Sequence, residues 1–342
     1  MNKKVYIYPI TARLKTGVQN PYINDFINSS THFFDYLNIK NPSNIGILNL
    51  IKYTHKTDYL ILNWVENLPE KKFGFFQTLY FLLFLNMKKI WGIKIIWVMH
   101  NKISHNKEKL KLKRTIFNSL LKKSDLIITH SKEGVKYAQK QRNNHSNHLF
   151  YFPHPVNQEY IPEKRNQKKE YDILIWGSLL PYKGIDKFLE FMVRKNELNN
   201  YKIIIVGKDT SNKYFSVLEK YKSSKCLIEN RFIDKQELID LTEKSMITLF
   251  TYNNDSVLSS GALIDSISFR ANVIGPHTGA FADAAEEGVI QTFQNFEDLL
   301  RILKEFQLNR FNKPSEQIEL FIRKYSWDNF SNELNMKLKQ IF

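Results

Sequence analysis

The chain contains a single cysteine, Cys226, which excludes a disulfide framework and makes a reducing compartment the expected setting. Long hydrophobic runs are also scarce. Lys3 and Lys4 precede only Val5 to Ile10 before polar residues begin, too short an apolar core for a secretory signal. The most apolar segment, residues 73–85, falls short of the ~20 residues a membrane-spanning helix needs. Glycine signatures of bound nucleotides are missing too. No G-x-G-x-x-G follows an expected strand, which disfavours a dehydrogenase, and the spacing from Gly177 to Lys183 does not fit a Walker loop. There is no Asp-x-Asp, and His100 and His105 are not spaced as a zinc pair.

The first half of the chain is short of acid. Residues 1–165 carry 26 Lys and Arg against 10 Asp and Glu, whereas residues 166–342 carry 24 of each, so the whole net charge of +16 sits in the first half. One lobe therefore seeks an anionic surface, either nucleic acid or an acidic membrane leaflet. The segment Phe73 to Leu85 favours the membrane. It holds five Phe and four Leu in thirteen residues, between Lys71-Lys72 and Lys88-Lys89. Such a body suits a helix lying in the headgroup region of an anionic leaflet, and equally a buried helix packed on a sheet; one face can serve each environment. Nucleic acid is not expected as a partner, because no recognition motif accompanies the charge.

With 43% hydrophobic and 25% charged residues, the chain has the composition of a folded protein long enough for two domains. Short β-branched runs alternate with helical patterns throughout, the mark of parallel α/β sheets. Expected strands are Val5–Tyr8, Ile45–Leu50, Tyr59–Trp64, Ile93–Met99, Leu126–Thr129 and Leu149–Phe152. The second half adds Asp172–Trp176, Lys202–Val206, Leu227–Phe232, Ile247–Phe250, Val273–Gly275 and Val289–Thr292. The polar stretch Asn157–Glu170 breaks the rhythm once and reads as a hinge. The fold expected is α/β, with two Rossmann-like, doubly wound domains facing across a cleft. The boundaries are residues 1–160, residues 170–325, and a C-terminal segment 326–342.

Two stretches carry the chemistry. Trp176-Gly-Ser-Leu-Leu-Pro-Tyr-Lys-Gly184 reads as strand, glycine turn, exposed loop lysine and helix start, a combination of N–H groups, helix dipole and ammonium that binds diphosphate. It is also compatible with an ordinary strand-to-helix turn. Further on, Ser259-Ser260-Gly261 reads as a helix N-terminus offering hydroxyls and N–H groups to phosphate oxygens, or as a plain cap. Asp265, further along that helix, is placed to accept hydrogen bonds from a ribose diol.

Together these stretches resemble the GT-B fold glycosyltransferases of family 4, glycosyl transferases group 1, as found in bacterial capsule and O-antigen assembly. Ile203 to Gly207 is similar to the family's second strand, and Asn230 to Asp234 to the segment flanking the nucleotide base. Tyr325-Ser-Trp327 and the helix to Phe342 are similar to the closing segment that braces the first lobe. The resemblance implies donor contacts at Gly177, Ser178, Lys183, Gly184, Gly207, Phe232, Ser259, Ser260, Gly261 and Asp265. Two departures stand out. The first Glu of the retaining members' Glu-x7-Glu pattern falls on Val257, and the Arg often placed after the first Gly is Ser178. Lys183 then becomes the main cation at the diphosphate, and neither a metal nor a bound cofactor is implied.

In the first lobe the resemblance implies acceptor contacts at Gly17, Asn20, Tyr22 and Asn101, and candidate bases at His100, His105 and Asp25. Loss of the first Glu leans toward inversion, whereas a retaining enzyme would use the donor's own phosphate. Thr129-His130-Ser131 and His154-Pro155 are read as structural strand ends. The function expected is transfer of a hexose-type sugar from a nucleotide-diphosphate donor, UDP or GDP type, to a lipid-linked saccharide acceptor in surface polysaccharide synthesis. The protein would be cytoplasmic, peripheral on the inner face of the plasma membrane, and held there through the basic first lobe and Phe73 to Leu85. The alternatives are a catalytically inactive, membrane-bound partner of a glycosyltransferase and a basic nucleic-acid-binding α/β protein.

Overall fold

A computed structural model describes residues 2–10, 21–40, 42–102, 109–141, 148–157, 168–253, 258–307 and 315–342. The chain divides into two compact units, one of Met1–Pro155 with Trp327–Phe342 and one of Val156–Ser326. Most of the expected hinge, residues 158–167, lies outside the described residues.

The first unit is built on six parallel strands: β1 (Lys3–Tyr8), β2 (Phe34–Tyr36), β3 (Tyr59–Asn63), β4 (Lys94–Met99), β5 (Leu126–Thr129) and β6 (Leu149–Tyr151). Their order is β2-β1-β3-β4-β5-β6. Strands covered on both faces read as continuous apolar runs rather than alternating ones, and every residue of β3 and β5 is buried. Helices α1 (Pro21–Ser30), α2 (Gly74–Met87), α3 (Leu110–Lys123) and α4 (Lys132–Gln141) connect them, and α12 (Trp327–Ile341) joins from the far end of the chain. Tyr22, Ile23, Phe26 and Ile27 form the buried stripe of α1. Phe26 meets Phe330 of α12 at 5.5 Å between ring centroids.

One expected strand is replaced. Ile45–Leu50 belongs to a 3-10 segment, Gly46–Lys52, and the edge strand is the shorter Phe34–Tyr36. The left-handed φ of +59° at Gly46 breaks the extended run, and the Gln77 side chain accepts the Ile47 N–H at 3.0 Å. Ile47 and Leu50, three apart and on one side of such a segment, are buried, while Ile51 is exposed.

Helix α2 is apolar all round and divides its faces. Gln77, Thr78, Phe81, Phe84 and Leu85 are buried, whereas Phe75, Phe76, Leu79, Leu83 and Met87 are exposed, Phe76 to 64%. Among the described residues no helix is long and apolar enough to cross a membrane.

The second unit also has six parallel strands, β7 (Tyr171–Trp176), β8 (Ile203–Gly207), β9 (Cys226–Asn230), β10 (Ser245–Leu249), β11 (Val273–Pro276) and β12 (Gln291–Phe293). The order β12-β11-β10-β7-β8-β9 is that of the Rossmann fold. Helices α5 (Ile185–Arg194), α6 (Lys213–Glu219), α7 (Lys235–Lys244), α8 (Gly261–Ser268), α9 (Gly279–Glu286), α10 (Phe296–Gln307) and α11 (Ser315–Lys324) complete it. Ile173, Ile175, Phe188, Leu189, Ile203, Ile205 and Leu303 anchor the core on one sheet face. Both expected doubly wound lobes are therefore present. In each, strand order reverses once, between β1 and β3 in the first unit and between β7 and β10 in the second. Ligands of open α/β sheets bind at the carboxyl edge beside such a switch point.

Candidate functional site

In the second unit the switch point is where the residues expected at the diphosphate gather. Strand β7 ends at Trp176, and Gly177 turns the chain with φ of +100°, a conformation that disfavours any residue with a Cβ. Gly207, at the end of β8, is required for a different reason: a Cβ there would lie 1.8 Å from the Gly177 carbonyl oxygen. The loop then closes through a short 3-10 turn, Pro181–Lys183, and Gly184 leads into α5. Thr251, just beyond β10, donates its hydroxyl to the Lys183 carbonyl at 2.7 Å. The two sides of the switch point are thereby tied together.

Lys183 is not the exposed loop lysine expected. Only 5% of it is accessible, and the Thr251 contact explains why: the turn is pinned against the end of β10. The ammonium approaches Gly177, 2.7 Å from where a Cβ would sit, and lies 5.5 Å from the centroid of the Tyr252 ring. Burial pulls its pKa below the ordinary lysine value because desolvation penalises the charged form. Among the described residues it forms no ion pair with a carboxylate. A buried cation left in this way is suited to an incoming anion.

Tyr252 connects this loop to α8. Its hydroxyl lies 3.4 Å from the Ser260 Oγ, and that oxygen caps α8 by accepting the Leu263 N–H at 3.3 Å. Beside it, the Ser259 hydroxyl is buried without a hydrogen-bond partner among the described residues. A Cβ on Gly261 would meet nothing within 4 Å among the described residues, so no described side chain closes over the helix N-terminus. Gly177, Lys183, Gly184, Gly207 and Ser260 are thus brought together, with Ser178 exposed beside them and Asp265 exposed further along α8. Phe232, 70% exposed, follows β9, two strands from β7. It stands next to Arg231, which pairs with Glu229 and Glu237. Val257 lies outside the described residues. Thr251 and Tyr252 were not anticipated; their signal is that they directly follow a strand at the switch point.

In the first unit the carboxyl edge gathers aromatic rings and histidines. His100, after β4, donates Nε2–H to Asn63 Oδ1 at 3.0 Å, since that oxygen can only accept. Its ring stacks on Trp64 at 4.2 Å and meets Tyr22 edge-on at 4.8 Å. Burial, then the neighbouring His130 and His154, hold its pKa well below the usual histidine value. His130 Nδ1 donates to the Phe152 carbonyl at 2.7 Å, so its Nε2 accepts the Tyr22 hydroxyl at 2.7 Å. Burial, then His154, lower the His130 pKa to about 3; burial lowers that of His154 to about 4.

Tyr22 is therefore buried with its hydroxyl committed to His130, and its ring also touches Trp327 of α12. Asp25 lies one turn further along α1 and is half-buried; Asn101 is partly exposed after His100. Gly17, Asn20 and His105 lie outside the described residues. His130, His154, Asn63 and Trp64 are the additions to this edge. Among the described residues no group of three His, Cys, Asp or Glu could hold a metal ion.

Two Rossmann-like units, one carrying a buried lysine and a helix N-terminus at its switch point, define a doubly wound two-domain α/β protein. Residues 156–316 match the family described as Glycosyl transferases group 1. No curated protein matches the chain. Among solved structures, Anabaena Alr3699/HepE in complex with UDP is 11% identical, covering 99% of this chain and 100% of that one, with a TM-score of 0.71. A glycosyltransferase from Rickettsia africae ESF-5 is 13% identical over 99% of this chain and 98% of that one, with a TM-score of 0.64. The trehalose-6-phosphate synthase OtsA is 11% identical over the whole of both chains, with a TM-score of 0.66. At these identities the structures speak for the fold. The family match falls within the second unit, and the fold is that of the GT-B glycosyltransferases, as the motifs imply.

Proposed function

We propose that this glycosyltransferase moves a hexose-type sugar from a nucleoside-diphosphate donor to a lipid-linked saccharide on an anionic membrane surface, in surface polysaccharide synthesis. The observation that carries the donor reading is Lys183, a buried ammonium with no carboxylate partner among the described residues, at the switch point and beside an open helix N-terminus. The leaving diphosphate develops charge as the anomeric bond breaks, and preorganised donors in a dry site stabilise it. Lys183 and the α8 N-terminus supply them; the diol of the ribose falls to Asp265 and the base to Phe232. UDP is the nucleotide favoured, because HepE was crystallised with UDP and with UDP-glucose.

The membrane reading rests on α2. Its exposed rings and Leu side chains, continued by Ile90 at 70% exposure, lie between the exposed lysines Lys71, Lys72 and Lys89. Apolar anchors ringed by ammonium groups complement an anionic leaflet. On this reading the protein lies peripherally on the cytoplasmic face.

The test is a melting panel of UDP, GDP and CMP with their common sugar conjugates. Stabilisation by one nucleoside diphosphate, followed by hydrolysis of its sugar conjugate, supports the assignment. No shift with any of them, from a folded protein, refutes the donor site and favours a non-catalytic partner role, which the missing Arg and Glu motivate.

A further inference from the structure

A buried ammonium without a carboxylate needs some other group to hold it in one place. Lys183 forms no ion pair among the described residues. Its ammonium instead lies over the Tyr252 ring, 5.5 Å from the centroid, inside the reach of about 6 Å at which an aromatic face attracts a cation.

The backbone fixes where that ring stands. Thr251 donates its hydroxyl to the Lys183 carbonyl at 2.7 Å, and the Asn253 N–H donates to the Tyr182 carbonyl at 3.0 Å. Tyr252 sits between these two bonds, so it is tied on both sides to the loop that carries the lysine. Gly184 permits the approach, since a Cβ there would lie 2.5 Å from the Thr251 carbonyl oxygen. Neighbouring rings then hold the phenol: Phe250 and Phe281 at 5.6 Å and Tyr182 at 5.9 Å between centroids. Phe281 in turn occupies the space that a side chain at Gly275 would fill, its Cδ1 lying 2.3 Å from the Cβ position.

A carboxylate in the place of this ring would hold the ammonium and cancel its charge. An aromatic face attracts the cation through its quadrupole and carries no net charge, so the ammonium keeps its charge for an incoming anion. The Tyr252 hydroxyl reaches Ser260 Oγ only at 3.4 Å, longer than the usual O–H···O bond. The ring is therefore the part that acts.

We propose that Tyr252 is a positioning residue for the donor: its ring holds the Lys183 ammonium in place and leaves its charge for the diphosphate. This rests on the donor reading proposed above.

The experiment measures UDP affinity by calorimetry for wild type, Tyr252→Phe and Tyr252→Leu, each also combined with Lys183→Met. Tyr252→Leu should weaken UDP binding roughly 2- to 30-fold, and Tyr252→Phe, which keeps the ring, should restore most of that loss. In the Lys183→Met background, Tyr252→Leu should make little further difference, because residues that act through one another are not additive. An equal loss in both backgrounds, or undiminished UDP binding by Tyr252→Leu, would overturn this inference alone. If Tyr252→Leu does not fold, fluorinated phenylalanines at position 252 keep the ring's shape and drain its face of electron density. UDP affinity should then fall with each added fluorine, and a flat series would overturn the inference. A wild type that binds no nucleoside diphosphate would overturn the donor assignment and this inference with it.

Discussion

Replacing Lys183 by Met separates a functional cation from a structural one, because the two roles predict opposite patterns. Met keeps the length of the stem that packs beside Tyr252 and removes the ammonium. In the ligand-free protein that ammonium is buried, has no carboxylate among the described residues, and has its pKa pulled down by desolvation. Desolvation weighs against the charged form in the fold, so removing the ammonium should not lower the melting temperature. With UDP the balance changes. A hydrogen bond to a charged group contributes about 1.5–3 kcal/mol, so binding should weaken roughly 10- to 150-fold. At 100 times the wild-type Kd, UDP stabilises by about 2.7 kcal/mol; a 100-fold weaker site leaves about 0.4 kcal/mol by the same relation. For a unit of this size, at about 2–4 °C per kcal/mol, the shift should fall from roughly 5–10 °C to about 1–2 °C. Scanning calorimetry with and without UDP reads both quantities. A ligand-free melting temperature that drops by more than about 5 °C, together with an undiminished UDP shift, would show that Lys183 holds the fold rather than the diphosphate.

Glu66→Gln should be increasingly stabilising relative to wild type as pH rises. The folded pKa, raised by burial to about 7, lies above the unfolded value of 4.5, so the wild type is at full strength below pH 4.5 and loses roughly 3 kcal/mol as pH rises through 7; a wild-type minus mutant melting difference that does not vary with pH refutes the burial argument. Phe76→Ser should leave melting unchanged and release the protein from anionic vesicles in a sedimentation assay, whereas Phe81→Ser, at a fully buried position, should unfold the first unit; retained vesicle binding by Phe76→Ser removes α2 as the anchor. Acidification should unfold the first unit early, because the depressed pKa values of His130 and His154 give stability that is present above pH 6.5 and lost as pH falls toward 4 and 3. A flat circular-dichroism signal from pH 6.5 to 3 would contradict this. Gly207→Ala should abolish the UDP shift and lower melting, since its Cβ would overlap the Gly177 carbonyl; normal UDP binding would show that the loop rearranges freely.

What could be read from the sequence and what could not divide along physical lines. The second unit was legible because its site is local: Gly177, Lys183 and Gly184 lie within eight residues, and the strand before them and helix after them have clear periods. The burial of Lys183 was not legible, because it depends on Thr251 and Tyr252, nearly seventy residues away, and pairing across a sheet leaves no mark at short range. In the first unit Ile45–Leu50 has the composition of a strand, and only the distant Gln77 amide and the turn at Gly46 show why it is not one. Helix α2 carried no periodic signal for either face, since both are apolar, and its division into a buried and an exposed side comes from what packs beneath it. Glu66 is the extreme case. Nothing in its local sequence singles it out, and its burial arises only when β1 lies beside β3 and α2 and α3 close over the segment Val65–Glu70. A carboxylate with a buried oxygen and no donor among the described residues works against the fold. For that reason a pattern-based reading of this chain finds the candidate phosphate site, which is built from backbone turns, and misses Glu66, whose environment is built from burial.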